Sequence, residues 1–167
     1  MNSPFRLEAL GDAHERASFS CGQEPLDRYF ETQATQDIRR RVASCFVAVE
    51  EETGRVAAYY TLAAAGIPLT DLPPELVKKL PRYPSIPAVR VGRLAVDTRF
   101  QGRGLGAGLL ADALRRVMAS PPAAYALLVD AKDDQAVAFY QHHGFIALAG
   151  QPRTLFLAVS TAEKTLL

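Results

Sequence analysis

The chain has 167 residues, which suits one domain with a sizeable core. Hydrophobic residues at 49% and charged residues at 22% place it among globular proteins, and a net charge of +1 does not announce a nucleic-acid binder. The charged start MNSPFRLEALGDAHER is neither a signal nor a transit peptide, and no apolar run approaches the roughly 18–20 residues of a membrane span.

Phe5 to Leu10 alternates apolar and polar residues and reads as a first strand. A loop around Phe19-Ser20-Cys21-Gly22 follows, and Pro25 marks the first turn of a helix. Leu26, Tyr29, Phe30, Ala34 and Ile38 form a helical stripe that Gln33 and Asp37 interrupt, and the helix is expected to end near Arg41. Arg39, Arg40 and Arg41 then fill its last turn, where cations are favourable. Cys21 and Cys45 lack metal-ligand spacing and read as buried small hydrophobes of a protein in a reducing cytoplasm.

Ser44 to Glu50 and Arg55 to Ala65 are strand-like, joined by the hairpin turn Glu51-Glu52-Thr53-Gly54. Six prolines, at 68, 73, 74, 81, 84 and 87, make about 68–87 a structured insertion in which Pro74 to Leu80 can form a short helix. Val89 to Val96 is a β-branched strand, followed by the polar turn Asp97-Thr98-Arg99-Phe100. Gln101-Gly102-Arg103-Gly104-Leu105-Gly106 then runs into a helix that reaches Met118 and stops at Ser120-Pro121-Pro122. Tyr125 to Ala131 is nearly all apolar and should be a central strand. Asp133 to His143 reads as a helix stopped by Gly144, with Phe145–Leu148 and Arg153–Val159 as the closing strands. The order β-α-β-β-(insertion)-β-α-β-α-β-β describes one mixed α/β (α+β) domain over residues 1–167.

A glycine-rich turn that follows a strand and opens a helix is an anion site by construction. The first helical N–H groups lack intrahelical partners, the dipole places partial positive charge there, and glycine lets the backbone approach a phosphate. Gly102-x-Gly104-x-x-Ala107 matches a variant of the dinucleotide fingerprint, with Asp130 at the end of the next strand. Against that reading, only about 60 residues follow the loop, the preceding strands form hairpins, and Arg90 and Arg93 lie in the lead-in strand. A P-loop is excluded because no Gly-Lys-[Ser/Thr] follows the glycines.

Gln101-x-x-Gly104-x-Gly106 resembles motif A of the GCN5-related N-acetyltransferases (GNAT). A second signature of that family is matched by Asp133-x-x-Ala136-x-x-Phe139-Tyr140-x-x-x-Gly144-Phe145, with Asp133 in place of the usual asparagine. The resemblance implies a GNAT fold: a mixed, mostly antiparallel sheet with a central splayed pair of parallel strands, flanked by helices. It also implies that Gln101, Gly102, Arg103, Gly104, Leu105 and Gly106 hold the pyrophosphate of acetyl-CoA. Leu94, Ala95 and Val96 would pair with the pantetheine arm, and Asp133 and Phe139 would complete the cofactor site. More narrowly, Phe19-x-Cys21-Gly22, Leu26-Asp27-x-Tyr29-Phe30, Tyr59-Tyr60-Thr61-Leu62, the run Gly92 to Asp97 and the run Leu128 to Ala131 look like the TacT-like acetyltransferase toxins of toxin–antitoxin pairs. That implies acetylation of the α-amino group of aminoacyl-tRNA, arrest of translation, a small ribbon-helix-helix antitoxin and a homodimer. No metal is expected.

Acetyl transfer from a thioester to an amine needs a held donor, a neutral amine, help for the oxyanion and a proton for the leaving thiolate. Tyr140 is the candidate general acid, from its place in the family motif: a phenol with pKa near 10 is neutral at pH 7 and lies a little above a thiol at about 8.5. The alternative for Tyr140 is a core aromatic paired with Phe139. No base is evident, since His142 and His143 flank a helix end that favours solvated cations, and His14 is the remaining histidine. A lysine amine at about 10.4 needs a base, whereas an α-amine at about 7.7–8.0 is substantially neutral already, which favours an α-amine acceptor. Arg39, Arg40, Arg90 and Arg93 are the candidate substrate-binding cations, with Arg41, Lys78, Lys79 and Arg82 as further basic positions. Arg93, inside a strand, serves either the substrate or an acidic neighbour such as Asp97 or Glu50. The expected function is acetyl transfer to aminoacyl-tRNA. The rivals are a small-molecule amine or protein N-terminus as acceptor, and a non-catalytic acyl-CoA-binding module.

Overall fold

Strand β5 (Ala126–Asp130) has four consecutive buried residues, the pattern of a central strand covered on both faces, in the computed structural model, which describes residues 4–165. The strands are β1 (Phe5–Ala9), β2 (Ser44–Glu50), β3 (Val56–Pro68), β4 (Ser85–Val96), β5, β6 (Ile146–Leu148) and β7 (Gln151–Ala158). They are hydrogen-bonded in the order β1-β2-β3-β4-β5-β7-β6. β4 and β5 run parallel, while β1–β2, β2–β3, β5–β7 and β6–β7 are antiparallel. The helices are α1 (Glu24–Arg28), α2 (Ala34–Arg39), α3 (Pro74–Val77), α4 (Leu105–Ala119), α5 (Asp134–His142) and α6 (Val159–Thr165). A mixed, mostly antiparallel sheet with one parallel pair and flanking helices is the architecture expected from the sequence.

The chain divides into two compact units, one of the residues up to Ala63 with Gly92–Asp112, the other of Ala64–Val91 with Ala113 onward. The first has an aromatic core. Phe30 stacks on Tyr59 with ring centroids 4.4 Å apart, Phe19 meets Tyr59 edge-on, and Cys45, Val47, Val49, Val56 and Ala95 close around them. A fully buried side chain such as Phe30 or Val47 contributes about 1.5–3 kcal/mol. The second unit packs Ile67, Leu72, Ile86, Ala88, Ala126, Leu128, Leu148 and Phe156.

The interrupted stripe of the first helix has a structural cause. Between α1 and α2 the backbone winds as a π-helix over Tyr29–Gln33, which shifts the helix phase. Tyr29, Phe30 and Ala34 are buried by that shift, while Gln33 and Asp37 come together, with Gln33 Nε2 donating to Asp37 at 3.1 Å. The helix ends at Arg39, two residues before the expected Arg41. Arg41 takes the left-handed conformation (φ 62°) and closes a Schellman turn, Val42 N–H donating to Asp37 O and Arg41 N–H to Ile38 O.

The proline-rich segment is shorter than 68–87. β3 runs through Pro68 and β4 starts at Ser85, four residues earlier than the expected Val89, so Pro87 lies in a strand with its side chain exposed. The helix within the segment stops at Val77 rather than Leu80, because Lys79 and Leu80 N–H donate to carbonyls only three residues back. The closing strands are shifted by one or two residues, and α6 is a helix with no counterpart in the sequence reading. Among the described residues, no helix is long and apolar enough to cross a membrane.

Candidate active site

In the first unit, β4 leads directly into the glycine loop. Asp97 ends the strand and begins a 3-10 turn, Thr98–Phe100; its carboxylate accepts from Arg99 N–H at 2.9 Å and from Ser20 N–H at 3.0 Å. The Arg99 guanidinium pairs with the same carboxylate at 3.0 Å. Burial raises the Asp97 carboxyl, but these donors outweigh it and hold the pKa below its ordinary value. Gln101 Nε2 donates to Val96 O at 2.8 Å and to Cys21 O at 3.1 Å. The Gln101 side chain thus ties the loop to β4 and to the Cys21 segment, giving it a shaping task.

Gly102 and Gly104 have φ of 81° and 77°, a region that other residues enter at about 1–2 kcal/mol. A Cβ at either position would meet nothing within 4 Å, so these glycines answer a backbone demand and leave open space over the loop. Gln101, Gly102, Arg103 and Gly104 are exposed, whereas Leu105 is buried and anchors the first turn of α4. That turn carries no acidic residue to compete for its free N–H groups. The Arg103 guanidinium lies 5.4 Å from the Phe100 ring centroid. Open glycines, a carboxylate-free helix start and a tethered arginine suit the pyrophosphate of acetyl-CoA. Ala95 faces the aromatic core, with Leu94 and Val96 half-buried beside it.

Arg93 pairs with neither Asp97 nor Glu50. Its guanidinium stacks on Tyr29, 3.6 Å from the ring centroid, and its own N–H donates to Thr61 Oγ1 at 3.1 Å. Gly92 beside it leaves room for that hydroxyl: a Cβ there would stand 3.2 Å from it, so Thr61 would have to give by a few tenths of an ångström. Tyr29 donates to Asp37 at 2.7 Å. Hydrogen bonds from Tyr29 and Gln33, with the charge of Arg93, lower the Asp37 carboxyl. Arg39 and Arg40 are exposed at the end of α2.

In the second unit, Asp133 caps α5, its side chain accepting from Ala136 N–H at 2.8 Å. Aspartate performs this task as well as asparagine does, so the family position is filled by an effective cap. Phe139 rests on Tyr140 and His143, ring centroids 5.3 and 4.9 Å away. His142 is the exposed last residue of α5. His143 is half-buried against Phe139, and burial lowers its pKa, so it is not the solvated cation expected there.

Tyr140 is 7% exposed and packs against Phe145. Among the described residues every buried side-chain polar atom has a partner, yet no group hydrogen-bonds the Tyr140 hydroxyl. The ring is therefore core and the hydroxyl is accessible. Burial, with a smaller contribution from the Asp130 charge, pushes its pKa up to about 12. It stays protonated at neutral pH, and handing a proton to a thiolate of ordinary pKa is uphill by roughly 5 kcal/mol.

Arg90 is engaged rather than free: its guanidinium pairs with Asp130, which also accepts from Thr154 Oγ1 at 3.1 Å. Sequence reasoning missed Tyr29, Asp37, Thr61 and Thr154, whose partners lie 8 to 64 positions away. The break in the helical stripe at Gln33 and Asp37 was the one local signal.

Three comparisons bear on this geometry. The family model described as Acetyltransferase (GNAT) domain matches residues 82–155. A "tRNA-acetylating toxin" of Mycobacterium tuberculosis is 36% identical over 156 residues, 92% of each chain. Among solved structures, AtaT complexed with acetyl-methionyl-tRNAfMet superposes with a TM-score of 0.88 at 30% identity, covering 98% of this chain and 99% of that one. A tyrosine-to-phenylalanine mutant of the AtaT toxin, bound to the C-terminus of the antitoxin AtaR and acetyl-CoA, superposes with a TM-score of 0.79 at 27% identity and 97% coverage of both. A glycine cradle suited to a pyrophosphate and kinship along nine-tenths of the sequence lead to one conclusion: the chain belongs to the GNAT acetyltransferases, within their TacT-type toxins.

Proposed function

We propose that this protein is an acetyl-CoA-dependent N-acetyltransferase toxin that acetylates the α-amino group of aminoacyl-tRNA and so blocks translation. The choice of acceptor is carried by the 36% identity, over 92% of both chains, to a relative named for acetylating tRNA. In this reading residues 1–167 act as one acetyltransferase domain, homodimeric and cytoplasmic, held in check by a small ribbon-helix-helix antitoxin.

Acetyl-CoA supplies an activated acetyl group. The backbone of Gly102 to Gly106 holds its pyrophosphate, Arg103 adds a charge, and Leu94 to Val96 offer main-chain groups to the pantetheine. Asp133 and Phe139 act from behind, as the cap of α5 and the ring that supports Tyr140. Tyr140 keeps its proton until the thiolate leaves and then gives it up. Arg39 and Arg40 meet RNA phosphates, and the Arg93–Tyr29 stack offers a flat cationic surface beside them. The α-amine enters neutral by its own pKa, so no histidine is needed as a base.

The test is mass spectrometry of total aminoacylated tRNA after incubation with protein and acetyl-CoA. Acetylated aminoacyl adenosine is the expected product. Acetylation of free amines or peptide N-termini with the tRNA untouched would replace this reading by the alternative acceptor class.

A further inference from the structure

The parallel ladder of β4 and β5 pairs Ala88–Val91 with Ala126–Val129 and ends there. Asp130 is the next residue of β5, at the carboxyl end of a parallel pair, where open α/β sheets place their ligands. Strand register assigns its face. Arg90 stands opposite Leu128, Leu128 opposite Phe156 and Asp130 opposite Thr154, so Arg90, Asp130 and Thr154 share one face of the sheet. Gly144, which ends α5, lies over Leu157 of the other face. Arg90, Asp130 and Thr154 thus line the face away from α5.

The Asp130 carboxylate is held twice, by Arg90 from β4 and by Thr154 from β7, and still keeps 48% of its side-chain surface exposed. An exposed pair of this kind contributes little to stability. The remaining charges nearby are otherwise occupied or turned to solvent: Arg153 pairs with Asp134 and Lys132 is exposed. Asp130 is the last residue of β5, so Tyr140, on α5 over the other face, still feels its charge around the strand end.

A bare carboxylate would hold an ammonium well but would also keep it protonated, which stops an amine from attacking. A carboxylate neutralised by arginine still accepts N–H hydrogen bonds without that penalty. We propose that Asp130, with its charge balanced by Arg90 and its rotamer fixed by Thr154, is the receptor for the acceptor's α-amino group, which makes Asp130 a substrate residue and Arg90 a positioning residue. This rests on the reading of an α-amine acceptor. It also gives Arg90 a task other than touching RNA phosphate. The neutral amine attacks the thioester carbonyl, the C–S bond breaks with the departing sulfur taking the Tyr140 proton, and the surplus proton on the acylated nitrogen passes to solvent, from which the Tyr140 oxygen is reprotonated.

The experiment compares wild type, Asp130→Asn and Arg90→Gln in steady-state acetylation of methionyl-tRNA across pH 6–9, read as kcat and as separate KM values for tRNA and acetyl-CoA. Asp130→Asn should raise KM for the tRNA tenfold or more, leave KM for acetyl-CoA within twofold, and move the acid limb of kcat to lower pH, because the guanidinium is left uncompensated. Arg90→Gln should move that limb about one pH unit upward, because the bare carboxylate now holds the ammonium. A merely structural pair would not shift the limbs in opposite directions, and thermal unfolding of each variant near wild type would exclude a folding defect. If wild type acetylates the tRNA while both variants keep its KM and pH profile, the receptor assignment is wrong and the function stands. If wild type leaves methionyl-tRNA and the rest of a total aminoacyl-tRNA pool untouched, the function itself falls.

Discussion

The glycine loop and the Tyr140 region solve binding problems by opposite means. Residues 101–104 present backbone to solvent, with open space where two Cβ atoms would be, and the Gln101 side chain works at holding the loop rather than touching a ligand. Around the end of β5 the working groups are side chains: a buried ring with an accessible hydroxyl, and a carboxylate set by partners from two neighbouring strands. A pyrophosphate is the same in every acetyl-CoA and can be read by N–H groups, which no substitution other than proline removes. Proton transfer and amine recognition need groups of particular pKa, which only side chains provide.

If that contrast holds, the largest effect belongs to Tyr140→Phe, which keeps the ring and removes the proton. Its kcat should fall roughly 10²–10⁴-fold with KM for acetyl-CoA unchanged, and induced expression should no longer arrest growth. Because the phenol titrates at about 12, wild-type kcat should show no alkaline fall from this group below pH 10. A modest loss in the variant would mean that the proton comes from water.

Asp97→Ala tests the loop's anchoring, since it strands the N–H groups of Ser20 and Arg99. We expect a loss of about 2–4 kcal/mol in denaturant unfolding, with weaker acetyl-CoA binding measured by titration. Full affinity in a destabilised protein would separate the anchor from the cradle.

Alkaline unfolding compares the interiors of the two units. Burial pushes the Cys45 thiol up to about 12 from 9.0. A group with a raised folded pKa contributes its full stability below the unfolded value and loses it as pH rises toward the folded one. Stability should therefore decline above pH 9, with Cys45 accounting for about 3 kcal/mol by pH 11. Cys45→Ala should flatten that slope even though it lowers the plateau, whereas an unchanged slope would assign the decline to the buried tyrosines, Tyr140 among them.

The smallest effect is Gly104→Ala. The new methyl has room, so only the φ of 77° is penalised, by about 1–2 kcal/mol. KM for acetyl-CoA should rise roughly 5–30-fold with kcat unchanged. A fall in kcat instead would tie the loop to the chemistry and erase the contrast.

Much of this protein is local in its sequence. Periodicity placed the strands and main helices, and two spaced motifs pointed to the glycine loop and Tyr140 as the candidate site, because a backbone cradle and a helix signature are written in consecutive residues. What only the tertiary structure decided depends on partners far apart in the chain. It gave Gln101 two carbonyls to hold, set Arg93 on Tyr29 rather than on Asp97 or Glu50, turned His143 inward, and joined Arg90 to Asp130 and Thr154. A π-turn within a helix and the register of three strands made those meetings, and neither leaves a repeating pattern in the residues that take part.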